Sequence, residues 1–209
     1  MKRRDFIVFG ISGAVLAACG ARQKWSALAP GSQVLAFGDS VTYGTGAGAE
    51  EDWPTLLGEA TGWRIVNAGV LGDTAEAGRS RLPPLLDEYK PALVIIEIGG
   101  NDFLRRRQEK AVKQDLKALI DAARSSGAQV VLIGVPNLSV LAVVAGVAKD
   151  SPIYGELGKE EGVPVIADVF SGVLSRPELC ADRIHPNADG YRQMAEGIYG
   201  ALKQLGLAA

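Results

Sequence analysis

The sequence predicts an α/β fold: a three-layer α/β/α sandwich built on a flavodoxin-like sheet of five parallel strands in the order 2-1-3-4-5. Two patterns in the chain carry this prediction. Short runs rich in Val, Ile and Leu alternate with longer segments of helical period, as expected of a parallel sheet covered by helices on both faces. Each run stops at Gly, Pro or a polar cluster. No internal repeat of about 20 to 50 residues competes with this reading.

The strands are expected at Gln33 to Phe37, Arg64 to Ala68, Ala92 to Ile98, Gln129 to Val135 and Val163 to Asp168. The clearest helix spans about Gln108 to Ser126, where Val112, Leu116, Leu119, Ile120 and Ala123 recur at three- and four-residue steps and Gly127 marks the stop. A last helix runs from about Ala188 to Leu205 with Asn187 as its cap. Others are expected near Trp53 to Gly62, near Thr74 to Tyr89 and within Val140 to Glu161.

The 209 residues are 47% hydrophobic and 22% charged, enough for one globular domain with a substantial core. A formal charge of -2 provides no basic field for nucleic acid. At the start, Lys2, Arg3 and Arg4 precede an apolar run from Phe6 to Ala18 and then Cys19, the pattern of a secretory signal whose apolar part is too short to span a bilayer. Leu16 to Cys19 resembles a bacterial lipobox and Arg3 to Ile7 a twin-arginine export signal. The expected organisation is a signal peptide over 1–18, a lipidated Cys19 and tether over 19–32, and one domain over 33–209. Cys19 would attach the protein to a membrane on the extracytoplasmic, periplasmic side. With Cys19 so used, Cys180 has no partner and reads as a small apolar filler.

Chemistry gathers at the strand ends, where open α/β sheets bind ligands. Gly38-Asp39-Ser40 follows the first strand, Gly72 lies after the second, and Gly99-Gly100-Asn101-Asp102 follows the third. Ser40 reads either as a nucleophile or as part of a turn capping a helix. A serine nucleophile needs a base, and His185, past the fifth strand, is the only imidazole in the chain. Asp182 is near enough in sequence to hold that ring. The backbone N–H groups of Ser40 and Gly72 and the Asn101 side chain are candidate donors to an oxyanion.

Rival sites are weaker. Gly44 to Ala49 matches a GxGxxA dinucleotide loop only superficially, because it starts well past the strand end and precedes the acidic Glu50, Glu51 and Asp52. One histidine and one free cysteine do not furnish a zinc site, so no metal is expected. Arg105, Arg106 and Arg107 read as a solvated helix start or as a reception point for an anionic head group. The apolar run Val140 to Val147 reads as helix core or as an acyl groove.

Four of these blocks, GDS at Gly38 to Ser40, Gly72 within Asn67 to Thr74, GGND at Gly99 to Asp102 and DxxHP at Asp182 to Pro186, resemble those of the SGNH, or GDSL, hydrolases in order and spacing. The likeness extends from about Val34 to the final helix. Trp53-Pro54 and the stretch Gly78 to Pro83 further resemble the periplasmic branch with thioesterase, lysophospholipase and arylesterase activity. The first block reads GDSV where the family often has GDSL, and Gly134 to Ala145 departs from that branch's substrate loop. The resemblance implies Ser40 as nucleophile, Asp182 and His185 as the rest of a triad, and Ser40, Gly72 and Asn101 as the oxyanion hole. It implies a serine esterase acting on acyl esters without a cofactor, expected as a monomer. Two alternatives are a deacetylase of O-acetylated envelope carbohydrate and a lipoprotein that binds ligands on an inactive hydrolase fold.

Overall fold

The computed structural model describes residues 25–137 and 148–209. The signal segment, Cys19 and the run Val140 to Val147 lie outside the described residues. Five strands form one sheet: β1 Gln33–Gly38, β2 Arg64–Gly69, β3 Leu93–Glu97, β4 Gln129–Ile133 and β5 Val165–Ile166. All pairs are parallel and the order is β2-β1-β3-β4-β5, as the sequence predicts. The three central strands are apolar along nearly their whole length and buried, because helices cover both faces of a parallel sheet.

Eight helices are described: α1 Ser40–Tyr43, α2 Trp53–Thr61, α3 Ala75–Tyr89, α4 Gly100–Leu104, α5 Glu109–Ser125, α6 Pro152–Glu161, α7 Val169–Leu174 and α8 Ala188–Gln204. In one layer α5 packs against both α3 and α6; in the other α8 packs against α2 and α7. The periodic residues Val112, Leu116, Leu119, Ile120 and Ala123 of α5 are all buried. Asn187 caps α8 by accepting the Gly190 N–H at 3.0 Å. Among the described residues no helix is long and apolar enough to cross a membrane.

The structure departs from the sequence reading in three places. The fifth strand is only two residues long: it is an edge with one neighbour, Pro164 before it has no N–H to donate, and Asp168 after it adopts a left-handed backbone. The short helices α1, α4 and α7 occupy stretches with no helical period of their own. Finally, the last part of the expected tether lies against the domain: Leu28 is buried and donates its N–H to the Leu207 carbonyl at 2.9 Å, and Ser26 N–H reaches Gln129 Oε1 at 2.8 Å.

The turn out of β1 depends on two glycines for close approach. A Cβ on Gly38 would overlap the Thr42 hydroxyl and the Glu97 carbonyl, so α1 folds back directly onto the ends of β1 and β3. A Cβ on Gly78 would stand 3.2 Å from the Phe37 ring, tighter than ordinary contact, so glycine eases the approach of α3 to the sheet. Gly38→Ala is expected to lower the unfolding free energy in urea by about 3 kcal/mol, and a loss below about 1 kcal/mol would contradict this packing.

Candidate active site

Asp39 caps α1 by accepting the Val41 N–H at 3.0 Å, and Ser40 is the first residue of that helix. The capping reading of Gly38-Asp39-Ser40 therefore holds through Asp39, and the cap sets Ser40 at the carboxyl end of β1. Ser40 Oγ lies 3.0 Å from His185 Nε2, and His185 Nδ1 lies 2.8 Å from Asp182 Oδ2. An ionised carboxylate only accepts, so Nδ1 carries the proton and Nε2 is left to accept from the serine hydroxyl.

The turn that makes this possible is built by the aspartate itself. Asp182 Oδ1 accepts the backbone N–H groups of Ile184 and His185, both at 2.8 Å, while Oδ2 holds the ring. The Ala181 N–H donates to the His185 carbonyl at 3.0 Å and closes the loop. Partial burial pushes the Asp182 carboxyl up, but the bonds from the His185 ring and the two N–H groups outweigh it and hold the carboxyl below its usual range. It therefore stays ionised beside the imidazole.

On the other side of Ser40, Asn101 sits in the first turn of α4. Its Nδ2 donates to the Asp73 carbonyl at 2.9 Å and to Asp39 Oδ2 at 3.2 Å. Both amide hydrogens are thus engaged, and donation to an oxyanion requires sharing one of them; the longer contact to Asp39 is the weaker. Ser40, Asn101 and His185 line a cavity of about 20 Å³ with apolar walls from Val41, Leu104, Phe170 and Ile184. Gly72 is not among its lining residues. It lies on the neighbouring β2–α3 loop with φ 73°, its carbonyl accepting from Arg105 Nη2 at 3.0 Å.

Sequence reading missed two groups near the serine. Glu97, at the end of β3, is fully buried, accepts from the Thr42 hydroxyl at 2.7 Å through Oε2, and has no partner on Oε1. Its signal was a lone acid in the apolar run Leu93 to Ile98. Asp39 is also buried, and desolvation pushes its carboxyl up to about 7 against the Val41 N–H, the His185 charge and Asn101, with Asp73 adding to the rise. Burial first, and then Asp39, raise Glu97 well above the usual carboxylate range. The second missed group is Arg81, whose contacts are described below.

The arginine run divides between different jobs. Arg107 Nη1 bonds the fully buried Asp102 at 2.6 Å and its Nη2 bonds Asp115 at 2.9 Å, while Arg105 holds the Gly72 carbonyl. Two of the three arginines thus brace protein structure. Burial, with Asp182 and Glu178 nearby, pushes the Cys180 thiol up, which suits a filler better than a nucleophile. Among the described residues no three His, Cys, Asp or Glu side chains form a group that could hold a metal.

The raised Asp39 carboxyl has a measurable consequence. The unfolded chain releases this proton near pH 4 and the folded protein near pH 7, so the folded state binds more protons across that window and stability falls as pH rises through it. Asp39→Asn keeps a capping oxygen and removes the titration. The pH slope of the unfolding free energy across that window is expected to shrink in this variant, leaving the part due to Glu97. An unchanged slope would contradict the assignment.

Comparison with known proteins identifies the family. The model of the GDSL-like lipase/acylhydrolase family matches residues 36–193. Esterase TesA of Pseudomonas aeruginosa is 34% identical over 200 residues, covering 91% of this chain and 98% of its own. Thioesterase 1/protease 1/lysophospholipase L1 of Escherichia coli strain K12 is 32% identical over 182 residues, covering 82% and 84%. Among solved structures, the crystal structure of TesA superposes with a TM-score of 0.73 at 33% identity, covering 83% of this chain and 99% of that one. With its strand order, its four sequence blocks and this family match over most of its length, the chain belongs to the GDSL-like lipase/acylhydrolase family, the SGNH hydrolases.

Proposed function

We propose that this protein is a serine esterase that hydrolyses acyl esters through an acyl-enzyme, with Ser40, His185 and Asp182 as its triad. The carrying observation is the continuous contact from Ser40 Oγ to His185 Nε2 at 3.0 Å and from His185 Nδ1 to Asp182 at 2.8 Å. His185 takes the hydroxyl proton as Ser40 Oγ attacks the carbonyl carbon, and Asp182 stabilises the imidazolium. The oxyanion forms beside Asn101 and the Ser40 N–H, with Gly72 as a third donor from the adjacent loop. His185 then protonates the leaving group, and water repeats the cycle in reverse to release the acid. Every step uses the chain's own residues.

The esterase and thioesterase/lysophospholipase relatives support acyl esters, lysophospholipids and thioesters as substrates, and the sequence resemblance adds aryl esters. The sequence pattern around Cys19 supports a lipid anchor on the extracytoplasmic, periplasmic side.

Hydrolysis of p-nitrophenyl esters of graded chain length tests this reading. Activity on short and medium chains is expected. Activity confined to acetyl esters would instead support the carbohydrate deacetylase, and failure of a fluorophosphonate to label Ser40 would favour the inactive binding lipoprotein. Ser40→Ala is expected to lower kcat by at least about 10³-fold without unfolding the protein. Asp182→Asn should cost about 10² to 10⁴-fold, because the amide can present an N–H to Nδ1 and favour the wrong tautomer. Cys19→Ala should release the protein from the membrane fraction, and unchanged partition would remove the anchor.

A further inference from the structure

Arg81, on the face of α3 turned toward the sheet, spends its donors on three separate segments of the carboxyl rim. Nε and Nη2 reach Asp73 Oδ2 at 2.8 and 2.7 Å, Nη1 donates to the Ala68 carbonyl at 2.6 Å, and Nη2 also donates to the Gly38 carbonyl at 2.8 Å. The guanidinium carbon stands 4.0 Å from the Phe37 ring centroid, which fixes the plane of the fork. One side chain therefore joins the end of β1, two residues before Ser40, to the end of β2 and to the loop that follows it.

Of the other two oxyanion groups, that loop carries Gly72 and, through the Asp73 carbonyl, holds Asn101 of α4. Gly72 immediately precedes Asp73, and the Asp73 carbonyl is the nearer of the two acceptors holding the Asn101 amide. We infer that Arg81 is a positioning residue for the oxyanion hole, setting the spacing between Ser40 and the Gly72–Asp73 loop and, through the Asp73 carbonyl, the direction of the Asn101 amide. This rests on the esterase reading above and extends it to a residue that touches neither substrate nor reacting atoms. A lysine could not substitute, because a single ammonium cannot reach a carboxylate and two carbonyls on three segments in a fixed plane.

A purely structural role would predict a different outcome. The loop has other supports: Arg105 on the Gly72 carbonyl, and Asp102 Oδ2 accepting the Ala75 N–H at 2.9 Å. Without Arg81 the loop stays attached but loses its registration with β1, and a displacement of about 1 Å at such a site costs on the order of 10²-fold in rate.

The test compares the full chain with Arg81→Lys and Arg81→Gln for hydrolysis of p-nitrophenyl butyrate and inhibition by butylboronic acid, which forms a tetrahedral adduct on the serine; melting temperature is followed in parallel. Both variants are expected to lose about 10 to 100-fold in kcat with KM within about threefold, and to lose boronate affinity by a similar factor. If either fails to fold, Asp73→Asn, which keeps the backbone carbonyl, should show the same pattern more weakly. Unchanged kcat, a rise in KM alone, or lost activity with unchanged boronate affinity would each overturn the inference. Absence of Ser40-dependent hydrolysis in the parent protein would instead reject the esterase reading itself, so the two failures are distinct.

Discussion

A 3.0 Å contact between Ser40 Oγ and His185 Nε2 joins positions 145 residues apart, and everything proposed for this protein depends on it. The sheet brings the two together. Because the strands are parallel, their carboxyl ends share one rim, and the short helices α1 and α4 that leave β1 and β3 there carry Ser40 and Asn101. Ser40 reaches the rim by the tight turn at Gly38, and His185 by the loop that leads into α8. Asp182 then does two jobs with one carboxylate: Oδ1 folds the backbone and Oδ2 orients the ring.

Beneath the serine the protein keeps two buried acids, Asp39 and Glu97, each raised chiefly by burial, with Asp39 adding to the rise of Glu97. Burying carboxyl groups disfavours their ionised forms, so this pocket opposes stability as pH rises. The same Asp39 caps α1 and holds one hydrogen of Asn101. Local helix capping and the orientation of a candidate catalytic amide are thus linked through a single side chain. Arg81, Arg105 and Asp102 hold the β2–α3 loop beside the site through Asp73, Gly72 and Ala75.

Much of this was legible in the sequence, for identifiable reasons. The three central strands are buried on both faces and read as unbroken apolar runs, and α5 shows its buried face at the helical period. Asn187 is a helix cap by residue type. Ser40, Asn101, Asp182 and His185 were recognisable because their chemistry is rare in this chain or fixed by spacing. Gly72 follows β2, where the sequence puts it, and lies outside the cavity lining. By contrast, β5 has only two residues of pairing, and α1, α4 and α7 are too short to display a period; tertiary contacts form them. Glu97 and Arg81 were invisible as site residues because their role lies in which distant backbone and side-chain atoms they meet. Nothing in a local pattern says that one guanidinium will meet Gly38, Ala68 and Asp73.

Because the chain has a single histidine, nitrogen NMR of histidine-labelled protein reports on this contact without assignment ambiguity. At a pH where the ring is neutral, the account requires the proton on Nδ1, held by Asp182, with Nε2 bare toward the Ser40 hydroxyl, and requires that Asp182→Ala abolish this preference. A proton on Nε2, or the mixed tautomers of a free imidazole, would contradict it.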